Sequence, residues 1–220
     1  MIALSYMDVT QMDTAQCRPY VSPQRWQKAA GYLRETDRKL SLGAELLLNH
    51  KLKQLAPDLQ RPAAYHAAAG GKLQLTGSRL HFSLSHSGVY VACAISDTSV
   101  GVDIELEAEE DLRFAERFFH PDETARILAS PDRRSSFYQH WTLKESYLKC
   151  LGTGLSVPLH SFCVDTAAKP PQVTRDEERL PFALQTWKVE NYQLAVCYQA
   201  VAPISQCAPQ KTDIRECLMP

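Results

Sequence analysis

The sequence predicts an α+β fold of two similar lobes, each running from helices into strands and meeting near residues 100–110. Three observations predict it. Apolar residues recur at helical spacing between residues 23 and 55, then alternate with period two between 80 and 106. The same change of period follows again, from helical patterns over 112–151 to strand patterns over 160–198. Finally, Tyr90-Val91-Ala92-Cys93 and the segment Tyr192 to Cys197 are both apolar strands preceded by comparable strand-and-turn material. On this reading residues 1–100 form an N-terminal lobe, 101–200 a C-terminal lobe and 201–220 a loosely held tail. With 220 residues and 45% hydrophobic content, the chain can bury one substantial core or two small lobes sharing an interface.

Ser22-Pro23 has the form of a cap followed by proline at the first helical position, and predicts a helix to about Leu33. A second helix begins near Asp37, with Leu40, Ala44, Leu47, Leu48, Leu52 and Leu55 on one stripe and Arg38, Lys39, Lys51 and Lys53 mostly off it. Leu80, Phe82 and Leu84 alternate with His81, Ser83 and Ser85 as in a half-buried strand, and Gly88 ends it. Val89 to Ile95 and Val100 to Leu106 are further strands around an Asp97-Thr98 turn. Leu112, Ala115, Phe118 and Phe119 predict a helix stopping before Pro121, and Asp122 to Ala129 restart one. Ser135 or Ser136 caps a longer helix ended by Gly152 and Gly154. Strands follow at His160–Asp165, Phe182–Glu190 and Tyr192–Tyr198, the last two as a hairpin across Glu190-Asn191, with residues 167–180 as a loop.

Composition excludes several functions. With 24 basic and 25 acidic residues there is no basic surplus of the kind nucleic-acid binders carry, so an anionic ligand must be met by local charge. Seven scattered cysteines form no C-x-x-C pair and no secreted disulfide framework, which points to reduced thiols and a cytoplasmic protein. No run of about 18 apolar residues and no signal-peptide pattern occurs, so no membrane association is expected. Zinc binding through cysteine and histidine is not expected either, since no compact ligand spacing exists.

In Gly101-Val102-Asp103-Ile104-Glu105 the apolar Val100, Val102 and Ile104 define one strand face, so Asp103 and Glu105 project together from the other. At about 3.3 Å rise per residue their β-carbons are roughly 6.6 Å apart, close enough for both carboxylates to hold one oxygen-loving divalent ion. A solvent-facing acidic edge fits the same pattern equally well. In Trp141-Thr142-Leu143-Lys144-Glu145-Ser146-Tyr147-Leu148-Lys149 the helical spacing of Glu145 and Lys149 suits a surface ion pair worth only ~0.2–0.5 kcal/mol. Yet Trp141, Glu145 and Leu148 share a stripe, which sets that carboxylate beside an apolar anchor as a third metal ligand. Lys144 and Lys149 flank it, and paired cations beside a metal are what a pyrophosphate requires.

These two blocks resemble the G-(V/I)-D-I-E strand and the W-x-x-K-E-S-x-x-K helix of the Sfp-type 4′-phosphopantetheinyl transferases. Three more resemble that family in the same order: Phe82-Ser83-Leu84-Ser85-His86-Ser87, Arg117-Phe118-Phe119-His120-Pro121-Asp122-Glu123, and Gly152-Thr153-Gly154-Leu155-Ser156-Val157-Pro158-Leu159. The resemblance implies the pseudo-twofold fold of that family, with the active site in the cleft between the lobes. It implies Mg²⁺ bound by Asp103, Glu105 and Glu145, and coenzyme A as co-substrate. Lys149, with Lys144 as helper, meets the phosphates; Ser85 and His86 meet those of the 3′-phospho-ADP part; Arg38 and Lys39 lie near the 3′-phosphate. Lys72 matches the segment bordering the adenine, although Leu73 stands where the family commonly has proline. For His86 the residues alone favour a strand-end histidine bonded to backbone. Glu123 matches an acid near the reacting hydroxyl and is the expected general base, with Glu145 or water as competitors; it is equally suited to be a first-turn helix acid. The implied partner is an apo acyl or peptidyl carrier protein, met by a monomer. A different magnesium-dependent phosphotransferase or phosphodiesterase, and a noncatalytic carrier-binding module, are the alternatives.

Overall fold

A computed structural model of the chain describes residues 1–68, 70–109, 112–199 and 207–219. Strand β1 (Ile2–Asp8) opens the chain, a strand the sequence reading passed over, with Leu4, Ser5 and Met7 buried. Helix α1 (Pro23–Ala30) starts as Ser22-Pro23 predicts: Ser22 Oγ accepts from Arg25 N at 3.2 Å. It ends at Gly31, short of Leu33. The long α2 (Glu35–Leu55) begins two residues before Asp37 and buries its leucine stripe. A small hairpin, β2 (Tyr65–Ala67) and β3 (Leu73–Leu75), leads into β4 (His81–Ser87), β5 (Tyr90–Ser96) and β6 (Val100–Leu106).

Helices α3 (Arg113–Phe118) and α4 (Pro121–Ala129) meet at His120, which caps α4. Helix α5 (Arg133–Leu151) is capped by Asp132, not by Ser135 or Ser136: Asp132 Oδ1 accepts from Ser135 N at 3.0 Å, so the first turn starts three residues earlier than expected. Gly152 closes it at φ +76°, the left-handed cap position where glycine carries no steric cost. Strands β7 (Cys163–Asp165), β8 (Gln172–Arg175) and β9 (Glu178–Arg179) form a small antiparallel sheet. The expected loop over 167–180 is therefore partly strand; two short rungs around a turn leave too little alternation to read. Next come β10 (Phe182–Val189) and β11 (Tyr192–Gln199), paired across Glu190 as predicted. Beyond 207 the chain is docked, not loose: β12 (Gln210–Lys211) pairs parallel to β1, and Cys217 of α6 (Ile214–Cys217) is buried. Residues 200–206 of the expected tail lie outside the described residues.

Two sheets organise the site, with strand orders β12-β1-β5-β4 and β10-β11-β6. All of β5 is buried, Val91, Cys93 and Ile95 against α2 and Tyr90, Ala92 and Ala94 against Val100, Val102, Ile104, Leu194 and Val196 of the other sheet. Strand β11 is likewise buried on both faces, with Ala195 and Cys197 packed in the cluster of Leu143, Tyr147 and Leu148 from α5. Strands covered on both faces read as continuous apolar runs, as these do. Among the described residues no helix is long and apolar enough to cross a membrane.

Candidate active site

Strands β4 and β6 lie side by side, and alternate serines of β4 join them. Ser83 Oγ accepts from Val102 N at 3.0 Å, Ser85 Oγ donates to Asp103 Oδ1 at 2.7 Å, and Ser87 Oγ accepts from Leu106 N at 3.1 Å while donating to Glu105 Oε2 at 2.7 Å. Period two places all three hydroxyls on one edge. On the alternate positions, Phe82 and Leu84 go to the core beneath α2.

Helix α5 reaches this seam because residue 101 is glycine. A β-carbon there would stand 2.0 Å from Ser146 O, 2.4 Å from Cys150 N and 2.9 Å from Lys149 C, all backbone atoms of α5. The close approach lets Lys149 Nζ donate to Asp103 Oδ1 at 2.6 Å and to Ser85 Oγ at 3.0 Å. Asp103 is 2% exposed, and its second oxygen, Oδ2, is buried with no hydrogen-bond partner. An orphaned carboxylate oxygen in such a place costs about 1–3 kcal/mol or more unless something positive meets it. Burial and then the Asp103 charge push the carboxyls of both Glu105 and Glu145 above their ordinary range, with Lys149 acting in the opposite sense. Three acids thus crowd one lysine, and a hard divalent cation fits that donor set.

A cavity of about 220 Å³ adjoins them. Gly70, Gly71, Lys72 and Leu73 border it on one side, Ser83 and Leu84 on another, and Leu148, Lys149 and Gly152 on the third. Desolvation and then Lys149, Arg25 and Lys28 hold the His86 imidazole below its ordinary value, so three cations act on it; of these, Arg25 is itself paired with the buried Glu45, Nε donating to Oε2 at 3.0 Å, and its Nη2 donates to Tyr65 Oη at 2.8 Å. Arg25 and Lys28 were missed in the sequence reading. Their spacing of three on a helix phased by the Ser22-Pro23 cap was the available signal.

Residues 99–197 match the model of the 4′-phosphopantetheinyl transferase superfamily. The chain is 32% identical over 180 residues to the 4′-phosphopantetheinyl transferase gsp of Aneurinibacillus migulanus, covering 80% of this chain and 76% of that protein. It is 32% identical over 187 residues to psf-1 of Bacillus pumilus, covering 83% and 80%. The chain belongs to the 4′-phosphopantetheinyl transferase family. It is also 29% identical over 200 residues to Sfp of Bacillus subtilis strain 168, covering 87% and 89%. Among solved structures, the holo-[acyl-carrier-protein] synthase of Thermotoga maritima is similar to 47% of this transferase, across 63% of that chain, at 21% identity and a TM-score of 0.41.

The structure of the transferase brings Asp103, Glu105, Glu145, Lys149 and Ser85 to one seam, leaves His86 on the alternate positions of β4 with Phe82 and Leu84, and separates the other expected residues from it. Glu123 and Lys144 are both fully buried and paired with each other: Lys144 Nζ lies 2.8 and 2.7 Å from the two Glu123 oxygens and donates to Phe162 O at 2.9 Å. Glu123 also accepts from His120 N and Val164 N. Its acceptor sites are spent on fold, so the expected base and the expected phosphate helper are corrected to a structural pair. Burial pulls the Lys144 ammonium below its ordinary value against the attraction of Glu123. Lys72 lines the cavity with its stem, but its Nζ donates to Ser99 Oγ and Cys150 O at 2.6 and 2.5 Å, tying the β2–β3 loop to the end of α5. Lys39 Nζ donates to Thr10 O, and Arg38 Nε to Tyr32 O beside Glu35. Arg38 borders a separate cavity with Arg18 and Trp26, and neither Arg38 nor Lys39 is among the cations that lower the His86 imidazole.

Proposed function

We propose that this transferase moves the 4′-phosphopantetheine group of coenzyme A onto a serine hydroxyl of an apo acyl or peptidyl carrier protein, releasing 3′,5′-ADP. The observation that carries the reading is the buried, unpartnered Asp103 Oδ2 with Glu105 and Glu145 crowded upon its carboxylate and Lys149 beside it. Asp103, Glu105 and Glu145 would hold a divalent ion, Mg²⁺ on the oxygen-only donor set. Bound there, the ion supplies neutralisation of pyrophosphate charge.

The remaining work falls to side chains. Lys149 is fixed by Asp103 and Ser85 and meets the pyrophosphate oxygens, while His86 and Lys28 supply positive charge for the 3′-phospho-ADP part, Arg25 being held by Glu45 and Tyr65. The serine oxygen attacks the β-phosphorus, its proton passes to Glu145 or to water, and the bond to the 3′,5′-ADP oxygen breaks. Positioning and charge neutralisation dominate such transfers, and no covalent enzyme intermediate is required. The cavity is bounded by β4 from the first hundred residues and by α5 from the second, which supports lobes at 1–100 and 101–200 with the substrate cleft where they meet. One copy supplies every side chain named, so a monomer suffices. Seven free cysteines, all buried, suit a reducing, cytoplasmic setting.

The test is intact mass spectrometry of candidate apo carriers incubated with coenzyme A and Mg²⁺. Addition of the phosphopantetheine mass to the carrier is expected. Hydrolysis of phosphate esters without carrier modification would instead identify a different phosphotransferase, and binding without turnover a noncatalytic module.

A further inference from the structure

Away from the acidic seam, the N-terminus of α4 meets β7. His120, Asp122 and Cys163 each present one donor atom there, and these atoms all lie within 4.8 Å of one another. The geometry points to a second metal site, a nitrogen–oxygen–sulfur site for a borderline or soft divalent ion such as Zn²⁺, built from His120, Asp122 and Cys163. No compact spacing announces it, because the sulfur arrives from a distant strand.

The donor set is the first ground. Imidazole, carboxylate and thiolate are the three ligand types zinc takes, and they leave a fourth position to water. A hard ion such as Mg²⁺ avoids sulfur. Charge is the second: a thiolate and a carboxylate neutralise a divalent ion, the thiol proton passing to solvent on binding. Geometry is the third. Ligands at about 2.0–2.3 Å in a tetrahedron stand roughly 3.4 Å apart, and His120 Nδ1 is already 3.6 Å from Asp122 Oδ2. Cys163 is 8% exposed and held by the strand, whereas His120 and Asp122 are 33% and 68% exposed, so the two outer ligands can close on a fixed sulfur.

What the ion would displace is weak. Asp122 N donates to His120 Nδ1 at a long 3.3 Å, and Arg126 Nη1 lies 3.8 Å from Cys163 Sγ while its Nη2 is 3.3 Å from Asp165. Residues on either side of Cys163 serve the buried pair, Phe162 O accepting from Lys144 and Val164 N donating to Glu123. The ion would therefore staple α4 to β7 across that pair, a structural role independent of turnover.

Titration of the full chain with Co²⁺ in excess Mg²⁺ tests this. Mg²⁺ saturates an all-oxygen site, so thiolate-to-cobalt charge-transfer absorption in the near ultraviolet reports a sulfur ligand. We expect one equivalent of Co²⁺ to give that band, Zn²⁺ to abolish it by competition, and Cys163→Ser to lack it. His120→Asn keeps a side chain able to cap α4, and with exposed Asp122→Ala it should weaken Co²⁺ binding at least about tenfold, the lower bound set by losses beyond the ligand shell. Zn²⁺ should raise the melting temperature of wild type and not of Cys163→Ser. Absence of the band in wild-type protein, or an unchanged band in Cys163→Ser, overturns the site; should Cys163→Ser not fold, unchanged affinity in Asp122→Ala and His120→Asn does so.

Discussion

Replacing Gly101 by alanine tests whether close packing of α5 on β6 sets the candidate site. The new methyl would sit 2.0 Å from Ser146 O, about 1.4 Å short of ordinary contact at 3.4 Å, and within 3 Å of two further backbone atoms. None of these can swing away as a side-chain tip could. The helix must move outward or β6 must bend, at an overpacking cost of about 1–3 kcal/mol. In a chain of this size that lowers the melting temperature by about 2–12 °C. The helix carries Glu145 and Lys149, so the same shift pulls Lys149 from Asp103 and Ser85, and a displacement of about 1 Å at a reacting centre costs on the order of 10²-fold in rate. Thermal unfolding and carrier modification, measured together, read both effects. Gly43→Ala is the control: its β-carbon meets the Val9 side chain at 2.6 Å, so it should lose stability while folded protein keeps its rate. A folded Gly101→Ala with normal melting temperature and near-normal kcat/KM would refute the packing account.

Four further outcomes follow from the same geometry. Asp103→Ala, Glu105→Ala and Glu145→Ala should each keep the circular dichroism of wild type and lose transfer by orders of magnitude, with slight stabilisation where carboxylate repulsion is relieved; near-normal rates and Mg²⁺ dependence in all three would remove the site. Lys144→Met or Glu123→Gln alone should cost about 3–5 kcal/mol in denaturant unfolding, since each leaves a buried partner uncompensated, whereas the double variant Glu123→Gln/Lys144→Met should recover stability and retain transfer activity if the pair is structural. Phe118 is 38% exposed with Arg117 over its ring, whereas Phe119 is 3% exposed, so Phe118→Ala should raise the KM for carrier at unchanged melting temperature and Phe119→Ala should cost about 3–5 kcal/mol. His140 is buried and held below its ordinary 6.5 mainly by desolvation, so the unfolded chain takes up a proton that the folded one refuses. Stability is full above 6.5 and falls as pH drops through that value toward the folded pKa; His140→Gln should flatten this acid limb of the melting curve, and an identical slope would show that another group titrates.

Local signals explain how much of the fold was legible. The Ser22-Pro23 cap, the leucine stripe of α2, the Gly152 stop and the alternation of β4 each depend on neighbours within one or two turns, so a window of residues contains the cause. Strand β1 pairs with β5 and β12, both far along the chain, and its own run, Ile2-Ala3-Leu4-Ser5-Tyr6-Met7, is too mixed to declare a face. The docked segment after 207 is held by such distant partners too: Lys51 reaches Gln210 at 2.8 Å and Cys217 packs on Met7. The same limit hid the serine rungs between β4 and β6, where each hydroxyl matters only because a second strand stands opposite.

Lys144 is different, because its misplacement could have been avoided from helix geometry alone. At about 100° per residue, Lys149 lies roughly 40° from Glu145 and Trp141 roughly 40° to the other side, whereas Lys144 is about 100° away from Glu145 and 140° from Lys149. A side chain about 140° from Lys149 cannot join it and Glu145 at the same strand. Once Glu145 is assigned to the acidic strand, Lys144 must enter the body of the protein, and a buried ammonium requires an anion and further acceptors. Glu123 and the Phe162 carbonyl supply them. The lysine and the glutamate that stand side by side in the sequence therefore serve different faces of α5, one fastening it to α4 and β7, the other presented with Lys149 to Asp103.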